Sequence, residues 1–260
     1  MLRMLLLPIQ RYKYLLYQLT QREIKARYKQ SVIGYSWVLI NPLAQLVVYT
    51  FVFSMVFRFP TNDIPYTIFL FAALLPWTLF QNSITTATQS LVVNASLLKK
   101  IAFPREVIPY SIVLSKIVDF LFSAVVFLIF LLFFDVSLVW TSFLFVPILF
   151  VQIILTTGLS LLLSAANLFY RDIQYLANLI LMLWMYMTPI VYPVSMVPDR
   201  FLWLYKLNPM VGIIEGYRSA LFGYPFELSI IIWATLSSII VFFFSFMVFK
   251  KAERVFADIA

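Results

Sequence analysis

The chain has 260 residues, of which 63% are hydrophobic, 18% aromatic and only 12% charged, so its apolar surface exceeds what a water-soluble core holds and lipid must be its solvent. The net charge of +8 is carried by residues that flank apolar runs and form no continuous basic groove, which argues against nucleic acid as a partner. With no cysteine there is no disulfide or thiolate chemistry, and with no histidine the commonest metal ligand and acid/base group is missing.

In chain order, Met1 to Leu7 is apolar but too short for a signal-peptide core, and Pro8 and Arg11 interrupt it. Residues 8 to 30 read as a helix lying on the membrane surface. Arg11, Gln18, Arg22, Lys25 and Lys29 share one face, while Tyr12, Leu15, Leu16 and Leu19 share another. Thr20 and Glu23 have capping-box spacing, so a new helix can begin at Thr20. The basic face suits an anionic-lipid anchor and, equally, a docking surface for a protein.

Six apolar stretches follow: Tyr35 to Phe57, Ile64 to Phe80 with a helical extension, Val107 to Phe134, Val139 to Ala166, Ile173 to Tyr192, and Phe226 to Phe249. Each meets the ~20-residue requirement for crossing a ~30 Å hydrocarbon core, the second being the shortest. None shows the period-two alternation of a barrel strand. The expected fold class is an all-α polytopic membrane protein. It has six transmembrane helices over residues 35–260, a cytoplasmic amphipathic helix over 1–34, and an outer-side helical hairpin between helices 5 and 6. Alternation places Arg3, Arg11, Lys13, Arg22, Lys25, Arg27 and Lys29 on the same side as Lys99, Lys100, Arg105, Arg171, Lys250, Lys251 and Arg254. By the positive-inside rule that side is the cytoplasm, with both termini there.

The loop 94–106 carries a short amphipathic stretch ending at Pro104, and Arg105 with Glu106 leads into the third span. A compact basic helix between two spans suits the transmission of force, although a topology signal accounts for its charge as well. In 193–225, Asn208 fits an N-cap, Pro209 the first helical position and Gly223 the residue past the end. That predicts a helix of about 14 residues, too short to span, preceded by a second from about Asp199 to Leu207. Gly212 and Gly216 form a GxxxG without its usual apolar frame, so the motif reads as weak. Glu215 and Arg218 stand three apart and can pair; an exposed pair adds little stability.

None of the five glycines belongs to a phosphate loop, so this sequence carries no nucleotide site of that kind. Lys116 and Asp119 are the clear intramembrane ionisable pair, and pairing or snorkelling explains them better than a proton relay. Paired carboxylates, a nucleophile elbow and a metal cluster are all missing, which leaves an intramembrane enzyme unsupported. Trp77 and Phe80 follow Pro76, and Trp184, Tyr186 and Tyr192 surround the Thr188–Pro189 break. Uncharged aromatic faces can stack on the C–H faces of sugars, so a carbohydrate path competes with a core or belt role for these rings.

Several ordered segments together resemble the membrane subunits of ABC-2 type exporters of lipid-linked polysaccharide, the O-antigen, capsule and teichoic acid permeases. They are Arg27 to Trp37 with Asn41-Pro42, Leu75-Pro-Trp77 with Phe80, Lys100 to Glu106, Asn167 to Ile173, Thr188 to Tyr192, and Leu207-Asn-Pro209. The resemblance implies a homodimer in the bacterial plasma membrane bearing two separate ATPase subunits, which bind ATP and Mg; this chain itself takes no cofactor. It implies ATPase coupling through Arg22, Glu23, Lys25 and Arg27 and through Lys99, Lys100, Phe103, Pro104, Arg105 and Glu106. The glycan path would pass Trp77, Phe80, Trp184, Tyr186 and Tyr192, and an outer gate would hold Asn208, Pro209, Glu215 and Arg218. Arg171 and Asp172 match a family motif, with lipid-headgroup contact as their suggested part. Export of another amphiphile, or ion-coupled transport without an ATPase, are the alternative functions.

Overall fold

The structure, a computed structural model, describes residues 2–29, 33–53, 64–100 and 102–259, with the side chains of 2–11, 27, 28, 35, 257 and 258 outside that description. The described residues form helices and no strand. In order these are α1 (Leu2–Tyr28), α2 (Trp37–Thr50), α3 (Tyr66–Val93), α4 (Ala95–Lys100), α5 (Val107–Phe133), α6 (Phe145–Phe169), α7 (Ile173–Tyr186), α8 (Asp199–Lys206), α9 (Pro209–Phe222), α10 (Leu228–Ala252) and α11 (Phe256–Ile259). Short 3-10 turns precede α2 and α6 and follow α10.

Four helical stretches are long and apolar enough to cross a membrane: α3, α5, α6 with its preceding turn, and α10. The other two expected spans are shorter helices, Trp37–Phe53 and Ile173–Tyr186. The upper end expected for the first, residues 54–57, lies outside the described residues. At 1.5 Å per residue α7 is about 21 Å long, well below the ~30 Å core. It stops at Tyr186 instead of reaching Tyr192 because Pro189 cannot continue a helix and a side chain from elsewhere caps its end.

Two further expectations are corrected. The second span, read as the shortest, is the 28-residue α3, the longest single helix and the most enclosed. Its polar second half lowers the apolar count, yet neighbouring helices cover it in place of lipid. No helix begins at Thr20. α1 runs through it with the Thr20 hydroxyl donating to the Leu16 carbonyl at 2.8 Å, and the break falls at Tyr12, whose φ of −111° and ψ of 17° leave the helical region.

Burial follows from this arrangement. The main core gathers around α3, with Phe71, Trp77 and Phe80 against residues of α5, α6, α7, α9 and α10. A second cluster closes one end of the bundle, where Leu19 of α1 packs with Leu98, Phe103, Phe249 and Phe256. The apolar face of α1 therefore meets protein along this stretch. α6 and α10 approach closely at Gly158, where an added Cβ would lie 2.8 Å from the Phe242 Cα. Gly212 makes the same approach to α10, a Cβ there falling 2.7 Å from the Ile230 carbonyl oxygen, and Gly216 abuts Ile148. The GxxxG is thus a working contact motif of α9 despite its short frame. Gly158→Leu is expected to force α6 from α10 and cost at least the ~1–3 kcal/mol of ordinary overpacking, read as a lowered unfolding temperature in detergent.

Candidate functional site

The two ends of α3 lie about 42 Å apart and carry different chemistry. At the Val93 end, Asn94 starts the short α4. Its side-chain oxygen accepts from the Arg22 guanidinium of α1 at 2.6 Å, and its amide donates to the Ser90 carbonyl at 2.8 Å. From the other side the chain end grips the same loop. Glu253 accepts from the Arg105 backbone N–H at 2.8 Å and from Lys250 Nζ at 2.8 Å, and Lys250 also reaches Glu106 at 2.7 Å. Glu106 is buried, and burial pushes its carboxyl above the ordinary range while the Lys250 hydrogen bond opposes that rise. Phe256 is fully buried beneath, its ring edge-on to Phe249.

The residues expected at the ATPase contact therefore divide. Lys25, Lys99 and Lys100 are exposed, and Arg22 is half-exposed while holding Asn94. Glu23 pairs with Arg22 at 3.0 Å, and the Arg27 side chain lies outside the described residues. Phe103 and Glu106 are buried, and Pro104 and Arg105 are partly covered, so these four set the loop's position. Arg171 and Asp172 are exposed in the turn between α6 and α7. Removing the clasp by Glu253→Ala forfeits charged hydrogen bonds worth ~1.5–3 kcal/mol, so amide hydrogen exchange across 95–106 should accelerate about tenfold or more.

The aromatic residues expected along a glycan path also divide. Trp77 and Phe80 are fully buried. The Trp77 indole donates to Gln81 at 2.9 Å, and Phe80 stands edge-on to Trp184 at 5.3 Å between ring centres. Tyr186 is exposed, and Tyr192 is half-buried with its hydroxyl donating to the Tyr186 carbonyl at 2.7 Å. Trp184 is partly buried, and Tyr186 and Tyr192 border a shallow groove with Tyr205 and Phe201 of the hairpin.

The hairpin at the opposite end is built on Asn208. Its side-chain oxygen accepts from the Met210 N–H of α9 at 3.0 Å and from the Trp184 indole at 2.8 Å. Its amide donates to the Met187 carbonyl at 3.0 Å and to the Thr188 hydroxyl at 3.1 Å. One residue thereby caps the start of α9 and the end of α7, with Pro209 at the first helical position and Gly223 closing the helix at φ 70°.

Arg218 is the main correction here. The expected Glu215–Arg218 pair forms, but around a buried arginine, 1% exposed, donating to Glu215 at 2.9 Å and to the Ile190 carbonyl at 3.0 Å, with its guanidinium 3.5 Å from the Phe69 ring centre. It ties α9 to α3 and to the segment after α7. Alongside, the Tyr217 hydroxyl donates to Gln152 at 2.8 Å, and Gln152 donates to the Pro76 carbonyl at 2.7 Å, joining α9, α6 and α3. Sequence reading missed Gln152, Lys250 and Glu253. A glutamine within an apolar run and a Lys–Glu pair three apart were the available signals.

A helical bundle with several apolar helices long enough to cross a membrane, a loop clasped at one end and a capped hairpin at the other suits a transporter's membrane subunit. Residues 14–222 match the ABC-2 type transporter family, and the chain belongs to it. It is 35% identical over 250 residues to the O-antigen export system permease protein RfbA of Klebsiella pneumoniae, covering 94% of each chain. It is 34% identical to the RfbA protein of Myxococcus xanthus, over 80% of each chain. It is also 22% identical to the polysialic acid transport protein KpsM of Escherichia coli, over 90% of this chain and 91% of that one.

Proposed function

We propose that this chain is the channel-forming permease subunit of an ATP-driven exporter that moves polyprenyl-linked polysaccharide from the cytoplasm to the outer side of the bacterial plasma membrane. Two copies form the channel, and two ATPase subunits bearing ATP and Mg dock on the face that presents Lys25, Lys99 and Lys100. All six apolar segments cross the membrane in this reading, that of α7 completed by the buried non-helical residues 188–191; both termini are cytoplasmic, and 1–34 serves as the interface helix of the permease body 35–260. The observation that carries the proposal is the near full-length likeness to O-antigen permeases, 94% of both chains, which includes the clasped loop and the hairpin.

The mechanism follows from the contacts. Closure of the ATPases pushes on α4. That push cannot be absorbed locally, because Arg22–Asn94 ties α4 to α1 and Glu253–Arg105 ties it to α10. It is therefore passed to α3 and α10, and α3 reaches the hairpin through Phe69 and Arg218. The short α2 and α7 border a groove containing Val48, Phe53, Met185 and Tyr186, which supports placing the path along these helices. Two measurements test the function. Mild extraction of the tagged chain should bring down a stoichiometric ATPase, and a deletion strain should accumulate polyprenyl-linked glycan inside the cell. An ATPase-free oligomer with proton-driven flux in liposomes would overturn the proposal.

A further inference from the structure

A cavity of about 450 Å³ lies between α2, α3 and α5, apart from the coupling loop, the α2–α7 groove and the hairpin. Its size is that of a small-ligand site and too small for a polymer. Six uncharged polar side chains line it: Asn41, Gln45, Thr78, Gln81, Asn82 and Ser123. Thr78 and Ser123 already donate to the Leu74 and Asp119 carbonyls and the Gln81 oxygen accepts from Trp77, which leaves the exposed amides of Asn41, Gln45 and Asn82 and the Gln81 NH2 to meet water or a polar ligand in this space. Trp37, 40% exposed, stands at the start of α2 with its ring on the same cavity.

The charge of the lining decides the ligand class. It contains one cation, Lys116, and one anion, Asp119, a turn apart on α5. A diphosphate or other multiply charged headgroup requires an excess of cations that this wall does not supply. Amides offer both donors and acceptors, matching ligand hydroxyls that do the same, and an indole face suits an apolar C–H surface. We propose that this cavity binds a single sugar unit of a lipid-borne saccharide, with Asn41, Gln45, Gln81 and Asn82 reading its hydroxyls and Trp37 covering one ring face. This rests on the export reading for the identity of the saccharide. The lipid-linked glycan and a glycolipid of the bilayer present the same chemistry.

The chain has no cysteine, so Asn82→Cys installs a unique reporter thiol, with Gln45→Cys as a second should the first not fold, and Asn178→Cys, outside the cavity, as control. In nanodiscs of phosphatidylethanolamine and phosphatidylglycerol carrying the full transporter, the rate of modification by a water-soluble methanethiosulfonate is measured. The probes are decyl glucoside, decyl phosphate and tetraethylene glycol decyl ether. At about four times its Kd, decyl glucoside should slow modification about fivefold at position 82 and leave position 178 unchanged. Decyl phosphate and the polyether should slow neither. Equal protection by all three probes, stronger protection by the phosphate, or none by the glucoside would overturn the proposal. Repeating the assay with extracted polyprenyl-linked glycan and with glucosyl diacylglycerol identifies the source by which one protects. Protection by glucoside in a transporter that exports no glycan would leave the site standing and remove the export reading; export without protection would do the reverse.

Discussion

Arg218→Ala should be the most damaging single substitution in the half of the protein that carries the hairpin. It removes a fully buried guanidinium and strands the Glu215 carboxylate and the Ile190 carbonyl, while Phe69 loses the cation on its face. Breaking a buried charge pair costs up to ~3–5 kcal/mol, and the partial exposure of Glu215 places this loss toward the lower end of that range. The expected result is loss of most folded protein on mild heating in detergent, with export lost in parallel. Arg218→Lys should recover little, since a point ammonium cannot serve Glu215, Ile190 and the aromatic face together. Wild-type thermal stability in Arg218→Ala would mean that the guanidinium is not the tie between α9 and α3.

The second large effect is functional and leaves the fold alone. Lys99→Glu with Lys100→Glu reverses two exposed charges on α4 and touches no core contact. The protein should fold as before. Association with the ATPase should fall by tens of fold or more, because each reversal replaces an attraction with a like-charge repulsion worth several kcal/mol at most. Export should be lost at unchanged unfolding temperature. Normal export in this double variant would remove α4 from the coupling interface. Arg105 is a poorer target for the same test: its backbone N–H is held by Glu253, and a change there disturbs the clasp as well.

The two variants separate stability from coupling, and they mirror how legible each region was. α9 was predicted to the residue, Pro209–Phe222, because its limits are set by local rules: the Asn208 side chain bonds a backbone group two positions on, and Gly223 adopts a left-handed turn that other residues avoid. α4 was legible in part: its amphipathic pattern marked a short helix, but the stretch expected to end at Pro104 is helical only over Ala95–Lys100. Arg218 was misread because an i,i+3 pair looks the same whether water or protein covers it, and only the arrival of Phe69 and Ile190 makes this one buried. Trp77 and Phe80 were read as candidates for a path, yet they lie inside the α3 core, which hydropathy alone does not distinguish from a lining position.

By itself the sequence determined the all-helical class, its partition into lipid, the caps of the hairpin and the family, because transfer of apolar segments and capping are properties of consecutive residues. Only the tertiary structure decided that α3 is enclosed by protein, that α7 ends early under Asn208, and that Glu253 holds a loop 148 residues before it. The physical reason is the same for all three. A buried polar group must find partners wherever the fold brings them, and the chain's local pattern records the need without naming the partner.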